Sequence, residues 1–159
     1  MARFDAPGLD DLIREMQRMG EDSGEVAEAM VNAAVIEIRD AWKESAENHG
    51  LRDTGAMIES IGFPAPVQNA GGILYRDVYP QGKDGKGVRN AEKAFILNYG
   101  TKRRAATYWV DEADQASGPR VQQRLEEIWG EFLETGKVPA VNDSTGSTGD
   151  GVTKIITKG

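Results

Sequence analysis

The stretch from residue 24 to residue 48 constrains this chain more than any other. Val31, Val35, Ile38, Trp42 and Ala46 recur every three or four residues, with Met30 and Ala34 beside them. A repeat near 3.6 puts such residues on one side of a helix. The spacing therefore predicts a long amphipathic helix that must bury one face against the rest of the chain. Ser23 is placed to cap its start, and Asn48-His49-Gly50 to stop it. A shorter helix is expected after Pro7, with Leu9, Leu12, Ile13, Met16 and Met19 on one stripe and Gly20 as its end.

The remainder reads as smaller elements gathered on that helix. Thr54 looks like the cap of a short helix holding Met57, Ile58 and Ile61, after which Pro64 and Pro66 forbid both helix and central strand. Residues 61–67 and 73–79 read as an antiparallel pair turning at Asn69-Ala70-Gly71-Gly72. The segment 81–87 is expected to be a loose, glycine-rich, charged loop. Asn90 would cap a short helix that Gly100 ends, Thr107–Ser117 reads as helical, Gly118-Pro119 as a break, and 120–134 as a last helix with the stripe Val121, Leu125, Ile128, Trp129 and Phe132. Beyond Gly136 the composition turns to Gly, Ser, Thr and Asp, too polar to offset the entropy of ordering. The expected architecture is α+β: a long amphipathic helix and flanking helices packed on a small antiparallel sheet in one domain, 1–136, followed by an extended C-terminal arm, 137–159.

Much catalytic chemistry is closed to this chain. It has no cysteine and one histidine, His49, which removes thiolate ligands, cysteine nucleophiles and any two-imidazole site. Gly82, Gly85 and Gly87 are not followed by the Gly-Lys-Ser/Thr that opens a phosphate-binding helix. Paired carboxylates such as Glu126 and Glu127, or Asp111, Glu112 and Asp114, fall on predicted helices beside apolar stripes, where a solvated face accounts for them. His49 is read as a helix-end residue favoured by the helix dipole. The expectation is a protein without enzymatic activity, cofactor or metal. No stretch approaches the ~20 apolar residues of a membrane span, and the first residues lack a signal-peptide core, so a soluble protein made in the cytoplasm is expected.

Binding is where the sequence is informative. The net charge is −7, yet residues 81–104 carry 7 bases and 2 acids, between an acidic N-terminal part and an acidic stretch at 111–134 with 7 acids and 2 bases. Such asymmetry steers and registers subunits against one another. The interface candidates are Lys83, Lys86 and Arg89, then Lys102, Arg103 and Arg104, then Tyr108 and Trp109, which follow the basic run and are read as filling a partner's pocket. Trp42, Trp129 and Phe132 are read as core anchors instead. At the end of the arm, Val152, Ile155 and Ile156 form a strand-like patch suited to another subunit's sheet edge. The rival expectation is a small regulatory protein binding nucleic acid through 83–104, which the overall acidity opposes.

Two motifs stand out in this order of elements. The first, Asp53-Thr54-Gly55-Ala56-Met57-Ile58-Glu59-Ser60-Ile61, has a Thr-Gly, an apolar residue and then Ser-Ile after a long amphipathic helix. The second, Ala94-Phe95-Ile96-Leu97-Asn98-Tyr99-Gly100-Thr101, is an aromatic-rich stretch ending in aromatic-Gly-Thr. Followed by Lys102-Arg103-Arg104-Ala105-Ala106 and a helix, they resemble the tail-completion and neck proteins of long-tailed phages, the lambdoid head-tail joining or minor tail proteins, from about residue 25 to residue 135. The chain departs from that pattern at Asn98, where the family usually has an acid, and at Thr107-Tyr108-Trp109, where it usually has Pro-Phe. The resemblance implies an α+β virion protein at the head-tail junction. It would form a homo-oligomeric ring between the connector or adaptor and the tail-tube or tail-terminator protein, without enzymatic activity, with genomic DNA passing through the channel.

Overall fold

The computed structural model of the chain describes Asp11 and residues 22–143. Its elements run α1 (Asp22–Asn48), α2 (Ala56–Glu59), β1 (Ile61–Gly62), β2 (Gln68–Ala70), β3 (Ile73–Tyr75), β4 (Tyr79–Pro80), α3 (Asn90–Tyr99) and α4 (Trp109–Thr135). The fold is α+β, as the patterning predicts. The helix expected after Pro7 and the strand-like patch with Val152, Ile155 and Ile156 lie outside the described residues.

α1 and α4 pack along one another and supply most of the core. The α1 stripe Val31, Val35, Ile38, Trp42 and Ala46 is buried, as are Trp109, Ala113, Val121, Leu125 and Ile128 of α4. Each large side chain so buried contributes roughly 1.5–3 kcal/mol. Trp42 and Trp109 meet edge to face, with centroids 5.6 Å apart. Their polar atoms are also satisfied: Trp42 Nε1 donates to Asp114 Oδ1 at 2.9 Å, and Ser45 Oγ donates to the Trp109 carbonyl at 2.6 Å. Burial pushes the Asp114 carboxyl up, against the opposing effect of the Trp42 hydrogen bond.

Boundaries of α1, α2 and α4 differ from expectation. Ser23 lies inside α1 rather than at its cap. At α2 the capping position is Gly55, in the left-handed region at φ 85°, and Thr54 sits one residue earlier, its hydroxyl accepting from Ala56 N–H at 3.3 Å. Gly118-Pro119 does not break the last helix: α4 runs unbroken with Pro119 inside it. Pro119 is exposed, so the carbonyl it leaves without a partner in the helix, that of exposed Gln115, is open to water, and packing against α1 outweighs the lost bond.

The antiparallel pairing is present but interrupted. β1 pairs with β4 (Ile61 opposite Pro80) and β2 with β3 (Asn69 opposite Leu74), so residues 63–67 on one side face only 76–78 on the other. Pro64 and Pro66 cannot donate to a ladder. Arg76 takes the ladder's place: Nε donates to the Ala65 carbonyl at 2.6 Å, Nη2 to that of Phe63 at 3.3 Å, and Nη1 to Asn32 Oδ1 of α1 at 2.7 Å. Its guanidinium also lies 4.2 Å from the Phe63 ring centroid.

The chain does not leave the body at Gly136. Val138 and Val141 pack against the core, and Asp143 binds Arg39 of α1 through both carboxylate oxygens, at 2.5 and 2.7 Å. Arg39 is almost fully buried, and Asp143 holds its guanidinium above its ordinary value. The expected free arm from 137 onward is therefore corrected for residues 137–143: two valines and one acid are enough to seat a segment whose composition alone reads as unfoldable.

Candidate functional site: an aromatic groove with a basic rim

α3 wears its residues inside out. Its buried stripe is Asn90, Ala94 and Asn98, two amides and a small residue, while Phe95 and Tyr99 are 64 and 57 % exposed on the neighbouring stripe, their rings 4.8 Å apart. The amides turn inward because each has a backbone to hold. Asn90 Nδ2 donates to the Gln81 carbonyl at 2.8 Å, so Asn90 ties down the preceding loop and does not cap the helix; the capping position is Arg89, which makes no side-chain capping bond. Asn98 Oδ1 accepts from Val110 N–H at 2.9 Å, and its Nδ2 donates to Asp111 Oδ2 at 3.0 Å, fastening α3 to the first turn of α4.

Beside these rings lies an open groove of about 610 Å³, lined by Tyr79, Pro80, Phe95, Tyr99 and Val110, with Lys83 and Arg89 at its rim. The loop carrying those cations is ordered, contrary to the expectation of a loose segment. Asp84, its side chain only 3 % exposed, is ion-paired with Lys93 of α3 and accepts from Lys86 N–H at 2.9 Å and Val88 N–H at 2.8 Å. The Lys93 ammonium, with those two N–H groups, pulls the Asp84 carboxyl down to about 2. A one-pair ladder, Lys83 opposite Arg89, closes the loop. Lys93 is thereby neutralised, whereas Lys83, Lys86 and Arg89 are exposed and have no ion-pair partner among the described residues.

The other basic run is equally well placed. Thr101 and Arg104 exchange backbone hydrogen bonds at 2.8 and 3.2 Å, closing a tight turn with exposed Lys102 and Arg103 at its tip. Gly100, at φ 74°, permits it: a Cβ there would stand 2.6 Å from both the Ala106 nitrogen and the Arg104 carbonyl oxygen. Arg104 lines a second, smaller groove of about 310 Å³ on the far side of α3, together with Thr54, Gly55, Ile58, Ile96 and Leu97. The two sequence motifs thus meet around one groove.

Tyr108 and Trp109, read together as interface residues, separate. Tyr108 has φ 54°, the left-handed region, and is 55 % exposed. That conformation sends the next side chain the other way. Trp109 is completely buried, donates Nε1 to the Ala94 carbonyl at 3.3 Å, and is corrected to a core residue. Phe95, Ile96 and Tyr99 are the surface residues that sequence reasoning assigned to no site. The available signal was the stripe Asn90–Ala94–Asn98, which leaves the aromatics one step to the side. His49 bonds Glu112 Oε2 at 2.6 Å, joining the end of α1 to the start of α4.

Among the described residues, no three of His, Cys, Asp and Glu converge as metal ligands, and no helix is long and apolar enough to cross a membrane. No family model, curated protein or solved structure matches the chain.

Proposed function

We propose that this chain is a structural protein of a long-tailed phage virion, made in the bacterial cytoplasm and built into a homo-oligomeric ring at the head-tail junction. It joins the connector to the tail-tube or tail-terminator protein, and genomic DNA passes through the ring without sequence-specific contacts. The reading is carried by the division of the surface. Exposed aromatic side chains and cations without an ion-pair partner gather around α3, on a chain that is acidic overall. A surface of that kind favours a partner that is apolar at its centre and acidic at its rim. The order of elements from α1 to α4, with Thr54-Gly55 of the first motif and Ile96-Leu97 of the second lining one groove, adds to its support.

Reversing Arg103 and Arg104 to Glu tests the reading. Both side chains are exposed, so the monomer should melt as before while infectious particles are lost. Normal particle yield, or absence of the protein from purified particles, would refute the reading. Tight duplex binding with a steep salt dependence would replace it with a nucleic-acid-binding role.

A further inference from the structure

Outside residues 88–108, one large apolar side chain stands exposed among the described residues: Leu133, 59 % exposed near the end of α4. At 100° per residue, Glu126 and Gly130 lie about 20° and 60° round the axis from Leu133 and Glu134 flanks it about a quarter-turn on; both glutamates are exposed and have no ion-pair partner among the described residues. Gly130 has no role in the chain's own packing, since nothing lies within 4 Å of where its Cβ would be. A glycine inside a helix costs about 1 kcal/mol relative to alanine. Its use here fits close approach by something outside the chain. The far end of α4 is therefore an apolar knob with an acidic rim and a notch beside it.

The groove at α3 is the converse shape, an aromatic-lined hollow with Lys83 and Arg89 at its rim. Knob and groove cannot meet within one molecule. Val110 lines the groove, and Leu133 lies 23 residues farther along the same unbroken helix, about 35 Å away at 1.5 Å per residue. We infer that the Leu133 face of one copy seats in the Phe95–Tyr99 groove of the next. Opposite charge, with an exposed apolar side chain to enter an aromatic-lined hollow, selects this occupant over a second groove, because two basic rims repel. A contact joining different patches of identical chains is head-to-tail, and repeats into a ring when its rotation closes.

This inference rests on the proposed self-assembly and specifies its interface. Because the chain has no cysteine, Leu133→Cys and Tyr99→Cys each introduce a single thiol at an exposed position. The two purified full-length variants are mixed and treated with a short bis-maleimide, with each variant alone as control. Interface thiols have effective concentrations in the millimolar range, so the mixed dimer should exceed either control by at least about tenfold. Adding Arg89→Glu to the groove variant should abolish that excess, and adding Glu134→Lys to the knob variant should restore it. A Tyr99→Cys homodimer as abundant as the mixed one, or no excess of mixed dimer, overturns the inference. The virion reading is judged separately, by whether particles contain the protein: presence in particles without the cross-link sinks only the interface, and the cross-link without presence in particles sinks only the virion role.

Discussion

The pair of long helices and the segment between them, residues 61–108, are ordered by different means. α1 and α4 hold together by burying side chains, and their tryptophans, valines and isoleucines face each other. The intervening segment has strands of two or three residues and is held by polar clamps: Arg76 on two carbonyls, Asp84 on two N–H groups and Lys93, Asn98 on α4. A segment ordered by hydrogen bonds does not have to spend its aromatic side chains on its own stability. That leaves Phe95 and Tyr99 free to face outward, which the helical body does not allow Trp42 and Trp109, both buried in its core.

Substitution tests the contrast, with the largest effect in the body. Trp109→Ala removes a completely buried indole and its packing on Trp42, and should cost about 3–5 kcal/mol in urea unfolding. Phe95→Ala, in the same assay, should change monomer stability by less than about 0.5 kcal/mol. Comparable losses at the two sites would erase the distinction. Gly100→Ala probes the clamps: a left-handed backbone and contacts at 2.6 Å predict a loss of about 2 kcal/mol, with hydrogen exchange quickened first at Thr101 and Arg104. Asp143→Ala probes the return of the chain onto α1. Arg39 keeps Asp40 but loses a two-point partner, so about 1–2 kcal/mol should go. The smallest effect concerns pH. Asp84 is held near 2 in the folded chain, below its ordinary value, so its contribution to loop order is present at neutral pH and fades as pH falls toward 2. In Lys93→Met its carboxyl carbon should titrate closer to an ordinary aspartate by NMR, and an unchanged midpoint would show that the backbone donors suffice.

The sequence was legible wherever one period ran long enough. The stripe through Val31, Val35, Ile38, Trp42 and Ala46 located α1 and its buried face, and Gly100 marked the end of α3. What escaped notice depends on single hydrogen bonds or on partners far away in the chain. Trp109 looks exposed beside three basic residues until Tyr108 adopts a positive φ and turns it inward. The loop at 81–87 looks loose because nothing in its composition shows Asp84 collecting three donors. Gly118-Pro119 reads as a stop because local propensity cannot register the apolar surface that α1 presents along α4. In the candidate site, the cations named at 83, 89 and 102–104 are exposed, whereas the outward-facing Phe95 and Tyr99 were not singled out, because an aromatic residue on a short helix carries no local mark of which way it faces.

The continuity of α4 through Pro119 has a consequence for tolerance to change in length. Trp109 is locked in the core before Pro119 and Val121, Leu125 and Ile128 after it, and the helix advances 100° per residue, so the residue count between them fixes which side of α4 meets α1. One residue inserted in the solvent-facing turn around Gln122 would swing the Leu133 face about a quarter-turn around the axis, while seven would return it nearly to its starting azimuth, two turns farther out. The helix works as an indexing shaft, in which insertions and deletions are absorbed in heptads and resisted in between.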